Sequence, residues 1–246
     1  MTSPPVDSSV VDSPIENPVH VHGSADPRFH PLRAAFARAF ERTGSGGAGV
    51  DPDMGAALAV RYRGEPVVDL WAGVADARDG RPWQEDTVSV VFSSTKGVMS
   101  ILAARLVQEG RLDYDAPVAS YWPEFAAAGK SGVLVRHALA HRAGLSAPRR
   151  DLTRDDLLDW DRVTAALAEQ EPLWEPGTGY AYHALTHGWL AGELVRRVTG
   201  QSPGDYLRTV LTDPLRADFW LGFPAEERPR LAPMTVGPSL VALTRE

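Results

Sequence analysis

Val91-Phe92-Ser93-Ser94-Thr95-Lys96-Gly97-Val98 is the stretch on which the reading of this chain turns. Beyond it, Val98, Ile101, Leu102 and Leu106 recur at helical spacing and Gly110 is a natural stop, which predicts a helix over 93–109 with those four residues on its buried face. Ser93 and Lys96 then lie almost one turn apart on the same side. A serine hydroxyl is a poor nucleophile at neutral pH and needs an adjacent base. A lysine serves only when burial or a neighbouring cation lowers its pKa. The helix start helps, because its unpaired N–H groups can stabilise an oxyanion and its dipole disfavours a nearby ammonium. The blander alternative is a surface lysine beside an N-cap serine. The tetrapeptide alone does not choose between them.

Composition narrows the chemistry. Lys96 and Lys130 are the two lysines among 25 basic residues, and arginine stays charged, so an amine that must shed its proton has two candidates. The chain has no cysteine, which excludes disulfides, thiol nucleophiles, zinc–thiolate sites and cysteine-ligated iron–sulfur clusters. A net charge of −7 over 246 residues gives no electrostatic footprint for nucleic acid or for an anionic membrane. No apolar stretch is long enough to span a bilayer. Residues 1–24 carry neither a basic n-region nor an apolar h-region, so the default expectation is a cytoplasmic protein.

Outward from the quoted stretch, the chain divides by pattern. Residues 1–27, rich in Pro, Ser, Val and Asp, are expected to be a flexible N-terminal arm. Residues 28–246 are expected to form one unit, with an α/β part (28–92), a mostly helical part (93–225) and the start of a return to the sheet (226–246). Phe29, Leu32, Phe36, Ala39 and Phe40 share a helical stripe that Thr43-Gly44 ends. Strand-like runs at 56–62 and 66–71 are joined by Arg63-Gly64-Glu65, short enough for a hairpin, and a further strand is expected at 87–92. Helices are expected at 133–140, 154–168, 183–198 and 205–211. This order places an α/β (α+β) sheet layer beside a helical domain. A two-stranded hairpin is marginal by itself, and the tail offers only a proline-broken apolar run at 236–243. The sheet therefore reads as incomplete.

Three more segments follow in order: Gly110-Arg111-Leu112-Asp113-Tyr114-Asp115-Ala116-Pro117-Val118, His141-Arg142-Ala143-Gly144-Leu145 and Trp174-Glu175-Pro176-Gly177-Thr178-Gly179-Tyr180-Ala181-Tyr182. With 91–98, they resemble the serine β-lactamase and penicillin-binding protein superfamily, and within it the class C-like branch that includes family VIII carboxylesterases. The similarity runs from about residue 29 to about residue 223. It implies a β-lactamase-like fold with Ser93 as the acylated nucleophile, Lys96 as its base partner and Tyr182 as the catalytic tyrosine. Tyr180 is the rival by proximity, and spacing alone does not separate the two. A tyrosine near an ammonium loses its proton more easily and can relay it to a leaving group. His183, adjoining Tyr182, is a candidate to orient substrate or tune the tyrosine. Trp174 and Trp160 are candidates to line an apolar acyl or alcohol pocket.

Two departures from the family pattern matter. Ala184 stands where lactamases carry the asparagine of Tyr-x-Asn, which argues for an ester over a β-lactam. The 64 residues after Tyr182 contain no match to the family's third motif, whose strand supplies one oxyanion N–H. The resemblance therefore implies that the C-terminal part of the fold is missing, and losing one oxyanion donor costs about 10²–10³ in kcat.

Other signals carry less. Gly44-Ser45-Gly46-Gly47-Ala48-Gly49 fits G-x-G-x-x-G but follows a helix where a dinucleotide site needs a strand. The pairs His137/His141 and His183/His187 lack a third metal ligand at a recognisable spacing. The seven tryptophans are not interleaved with basic residues. The expected function is a serine hydrolase that cleaves small carboxylic esters through an acyl-serine, with no cofactor, no nucleic acid and no membrane partner. An open sheet edge would invite homo-oligomers. The rival is a catalytically inactive β-lactamase-fold protein with a binding or structural role; a β-lactamase or D-alanyl peptidase is the third reading.

Overall fold

Arg63 and Gly64 both take positive φ, 54° and 86°, the mark of a two-residue type I′ hairpin turn. They join β2 (Gly55–Tyr62) to β3 (Glu65–Asp76), which pair antiparallel with Tyr62 opposite Glu65. The computed structural model describes residues 19–41 and 54–234, and the chain divides into two units, 1–90 with 226–246 and 91–225.

In the first unit β3 is the central strand, with β1 (His22–Ala25) on its other edge and the short β4 (Arg81–Pro82) pairing near its end. Val68, Leu70 and Ala72 alternate along β3 into the core, as the period of two dictates. Phe40 of α1 (His30–Glu41) and Val21 are buried in the same cluster, and Phe36 meets Phe40 edge-on at 5.4 Å. Gly73, at φ 84°, lies where a Cβ would come within 2.3 Å of the Met54 carbonyl, so the strand passes its partner there only as glycine.

Two expectations change here. The arm assigned to 1–27 contains β1, a strand with no apolar alternation that β3 recruits through its free backbone edge; residues 1–18 lie outside the described residues. The strand expected at 87–92 shrinks to one parallel bridge between Val88 and Leu231, in which Val88 donates to Arg230 O at 3.1 Å and accepts from Ala232 N at 2.8 Å. The helix end at Thr43-Gly44 and the apolar run at 236–243 also fall outside the described residues. Among the described residues the sheet is not closed.

The second unit is helical. Its core brings together Leu102 and Leu106 of α2 (Ser94–Gln108), Leu190 and Leu194 of α6 (Thr186–Thr199), and Trp122, Phe125 and Leu145 from the connections. Met99 and Ala103 complete the buried face of α2, whereas Ile101, expected inside, is 52% exposed. The single helix expected over 154–168 is two, α4 (Arg154–Leu158) and α5 (Trp160–Glu169). Asp159 breaks it, taking extended dihedrals and accepting the Arg162 N–H as an N-cap. The chain between α2 and α4 adds α3 (Val135–Leu139), and α7 (Pro203–Leu207) runs on through a wide turn at Arg208–Thr212.

Two buried charges tie this unit together. Glu193 on α6 is 0% exposed and accepts from Trp160 Nε1, Arg196 Nε and Arg197 Nε at 2.7, 2.9 and 2.6 Å. The buried Lys130 donates to the carbonyls of Ala127 (2.9 Å), Ala168 (2.8 Å) and Gln170. Its amine thus caps the end of α5 rather than serving chemistry.

Candidate active site

Ser93 is the N-cap residue of α2, and the turn before it is tight. Phe92 takes φ 44°, a region that bulky residues rarely occupy and that recurs at functional sites. Ser94, Thr95 and Lys96 donate backbone bonds to Val91, Phe92 and Ser93 carbonyls at 3.1, 3.0 and 3.0 Å, which winds the first turn and brings the Lys96 side chain back over Ser93. Lys96 Nζ donates to Ser93 Oγ at 3.0 Å and to the Ala184 carbonyl at 2.8 Å. From a loop 89 residues further along, Tyr182 donates its hydroxyl to the same Ser93 Oγ at 2.7 Å. Lys96 Nζ also stands 4.9 Å from the centre of the Tyr182 ring. Two groups therefore converge on one oxygen, Ser93 Oγ.

The electrostatics follow from that convergence. Hydrogen bonding to Ser93, then to Lys96, together with the Lys96 charge, holds the Tyr182 hydroxyl below the ordinary tyrosine pKa. Burial, then the charge of neighbouring groups, pushes His141 and His187 below the usual histidine range, and burial does the same to His183. The site's inner wall is thus a set of neutral rings.

A five-residue strip holds the loop that carries Tyr182. Along 141–145, the His141 carbonyl accepts from Ala181 N (3.4 Å), the Arg142 carbonyl from Gly177 N (2.9 Å) and the Gly144 carbonyl from Leu173 N (2.7 Å). Leu145 donates its N–H to His183 Nε2 at 3.1 Å, and its carbonyl accepts the Thr186 hydroxyl at 2.6 Å. Gly144 sits at φ 73°, and a Cβ there would lie 2.7 Å from the Trp174 carbonyl, which explains the glycine of this pentapeptide. The chemistry of the motif is backbone docking.

The six residues singled out from sequence separate into two groups. Ser93, Lys96 and Tyr182 meet at the site, while Tyr180 points its ring edge-on at His141, 5.9 Å away. His183 is fully buried, with Nε2 accepting from Leu145 and Nδ1 donating to the Ala181 carbonyl at 2.6 Å, so it has no ring nitrogen left for substrate. Trp174 packs edge-on against His183 at 6.0 Å and covers Gly179, which places it behind the loop. Trp160 belongs to the α5–α6 contact, where its ring lies against Gly192 and its N–H against Glu193. The contacts of these three are with other parts of the fold, not with Ser93, Lys96 or the Tyr182 hydroxyl. Two contributors had no side-chain signal: the Ala184 carbonyl, which acts through its backbone, and His141, which was visible only as a motif position. Both histidine i,i+4 pairs straddle a helix boundary, and among the described residues no group of three or more His, Cys, Asp or Glu could hold a metal ion.

A serine at a helix start whose hydroxyl receives both a lysine and a tyrosine within one helical unit defines the serine β-lactamase-like class of site. The family model described as "Beta-lactamase" matches residues 38–243, and the chain belongs to that family. It is 42% identical over 223 residues to "Esterase/beta-lactamase LipL" of Mycobacterium tuberculosis, which covers 90% of this chain and 50% of that protein. The crystal structure of a family VIII carboxylesterase matches with TM-score 0.81 and 43% identity, covering 88% of this chain and 57% of that one. A penicillin-binding protein homolog from Caulobacter crescentus matches with TM-score 0.79 and 41% identity, at 89% and 57% coverage. The chain spans about half the length of the curated relatives it matches. Among the described residues no helix is long and apolar enough to cross a membrane.

Proposed function

We propose that this protein is a serine hydrolase that cleaves small carboxylic esters through an acyl-Ser93 intermediate. The observation that carries the reading is the convergence of Tyr182 OH and Lys96 Nζ on Ser93 Oγ, at 2.7 and 3.0 Å. Both are within reach to take the serine proton. The Ala184 carbonyl accepts from Nζ at 2.8 Å and holds the amine beside Ser93 and Tyr182. Hydrogen bonding to Ser93, then to Lys96, eases ionisation of Tyr182. Tyr182 is therefore assigned as the proton acceptor, with Lys96 easing its ionisation.

The Ser93 proton then moves to the Tyr182 oxygen as Oγ attacks the ester carbonyl. The tetrahedral oxyanion forms beside the Ser93 N–H at the start of α2. On collapse, the ester C–O bond breaks and Tyr182 returns the proton to the departing alkoxide. Water repeats the sequence on the acyl-serine, with Tyr182 taking its proton and giving it back to Ser93.

Three features favour an ester. An alkoxide demands less protonation help than an amine. Ala184 offers a methyl group where an amide side chain would bind a lactam substituent. Phe92, Tyr180 and Leu185, each within three residues of Ser93 or Tyr182 in sequence, are exposed, so the segments that carry the site present large apolar side chains. The name of the family VIII carboxylesterase structure points the same way, and that of the M. tuberculosis relative joins esterase with β-lactamase.

The test compares p-nitrophenyl acetate and butyrate with a chromogenic cephalosporin, for the wild-type chain and Ser93→Ala. Ester turnover that disappears in the variant supports the reading. A folded wild type no faster than Ser93→Ala on every substrate supports an inactive binding or structural protein, and turnover confined to the cephalosporin supports a β-lactamase.

A further inference from the structure

We infer that His141 is the positioning residue of the proton relay: it grips the backbone on both sides of Tyr182 and so sets the distance from the tyrosine hydroxyl to Ser93. The inference rests on the function proposed above for its kinetic consequence, but its geometry stands separately. The His141 carbonyl accepts the N–H of Ala181 at 3.4 Å, and the His141 ring accepts the N–H of His183 through Nδ1 at 3.1 Å. These are the residues immediately before and after Tyr182. The same ring lies 4.9 Å from the Tyr182 ring at 54°. One residue thus holds the preceding amide, the following amide and the ring between them.

The backbone of His141 is what makes the grip two-handed. At φ 60° it is in the left-handed region, which histidine adopts infrequently. The strain is held in place by Arg142 N–H donating to the His137 carbonyl at 2.8 Å and by Gly177 N–H donating to the Arg142 carbonyl at 2.9 Å. Tyr182 itself is 48% exposed and lacks the enclosing packing that would fix a buried side chain. Its hydroxyl must nevertheless stay within bonding distance of Ser93, and a displacement of about 1 Å in such a relay costs about 10²-fold in rate. His141 meets that demand without touching the reacting atoms.

The ring chemistry is equally specific. Accepting an amide through Nδ1 requires the neutral tautomer protonated at Nε2, because a doubly protonated ring has no acceptor. The groups that face it are Lys96 from α2, His183 from the loop, His187 from α6 and the hydroxyl-bearing rings of Tyr180 and Tyr182. None supplies a carboxylate that would favour the charged ring.

The test uses His141→Gly, which keeps the left-handed backbone and removes the acceptor, and His141→Asn, which tolerates the same backbone and offers Oδ1 in place of Nδ1. The readouts are kcat and KM on a p-nitrophenyl ester, and the ionisation of Tyr182 followed by ¹³Cζ-tyrosine NMR, with the signal assigned through Tyr182→Phe. His141→Gly is expected to lower kcat by about 10²-fold with KM little changed, and to move Tyr182 ionisation up toward an ordinary tyrosine. His141→Asn is expected to recover most of both. A kcat loss below about tenfold in His141→Gly, or a His141→Asn no better than His141→Gly, overturns the inference. Without any variant, ¹⁵N–¹H correlation of the wild-type imidazoles must show His141 neutral with its proton on Nε2; a proton on Nδ1 overturns it equally. If the wild type turns over no ester while Tyr182 ionisation still responds to His141→Gly, the proposed function fails and the positioning role stands.

Discussion

Tyr182→Phe separates the chemistry of this site from its folding. The substitution deletes one oxygen and with it the 2.7 Å bond to Ser93 Oγ. The ring contacts, 4.9 Å to His141 and 4.9 Å to Lys96 Nζ, pass unchanged to phenylalanine. A hydrogen bond contributes about 0.5–1.5 kcal/mol net, and at a half-exposed side chain water replaces part of it. The expected loss of stability is therefore below about 1 kcal/mol. The kinetic loss is of another order. A positioned proton-transfer group contributes about 10²–10⁴-fold, equivalent to about 3–5 kcal/mol of barrier at 1.36 kcal/mol per decade. The assay pairs a stopped-flow burst of p-nitrophenolate with urea unfolding of the same preparation. The reasoning predicts a burst rate constant reduced by at least about 10²-fold with an unfolding midpoint close to wild type. A burst within about threefold of wild type would refute the relay, and a large fall in midpoint would show that the hydroxyl is mainly structural.

Two further predictions concern stability. Glu193→Ala strands the half-buried Trp160 N–H and two arginines around a buried position, and it should cost about 3–5 kcal/mol; a change in urea-derived stability below about 1 kcal/mol would mean that the charge cluster is dispensable. His187 is buried, and burial followed by the neighbouring His141 charge lowers its pKa from 6.5 to about 4. The folded state then binds fewer protons than the unfolded one. The His187 contribution is complete above pH 6.5 and is lost as pH falls through 4, amounting to about 3 kcal/mol. Asp26, Asp76 and Asp156 are held at about 2, chiefly by hydrogen bonds from Arg28, Arg78 and Thr153, so their loss comes at lower pH. Urea midpoints that stay level or rise between pH 6.5 and 4 would contradict this assignment.

What could be read from sequence followed the scale of the forces involved. The α2 start, the hairpin turn at Arg63-Gly64 and the convergence on Ser93 were legible because local spacing, turn chemistry and a resemblance spread over several ordered segments all acted there. β1 was invisible, since His22-Gly23-Ser24-Ala25 has no apolar pattern and is a strand only because β3 presents an unpaired edge. The break at Asp159 is a side-chain cap outcompeting helix continuation, a contest of about 1 kcal/mol that periodicity does not record. Helix α6 begins three residues later than its pattern suggests, because His183 is drawn off to His141 and Leu145. The partners of His183, Trp174 and Trp160 depended on which neighbours the tertiary fold brings against them. Residue type says nothing about that.

The most direct measurement is intact mass spectrometry of the folded wild-type chain after exposure to a p-nitrophenyl alkylphosphonate, with the adduct mapped by peptide digestion. The account predicts one phosphonyl group per chain, on Ser93, absent from Ser93→Ala and strongly slowed in Tyr182→Phe. A folded protein that stays unmodified, or that carries the group on any other residue, would contradict it.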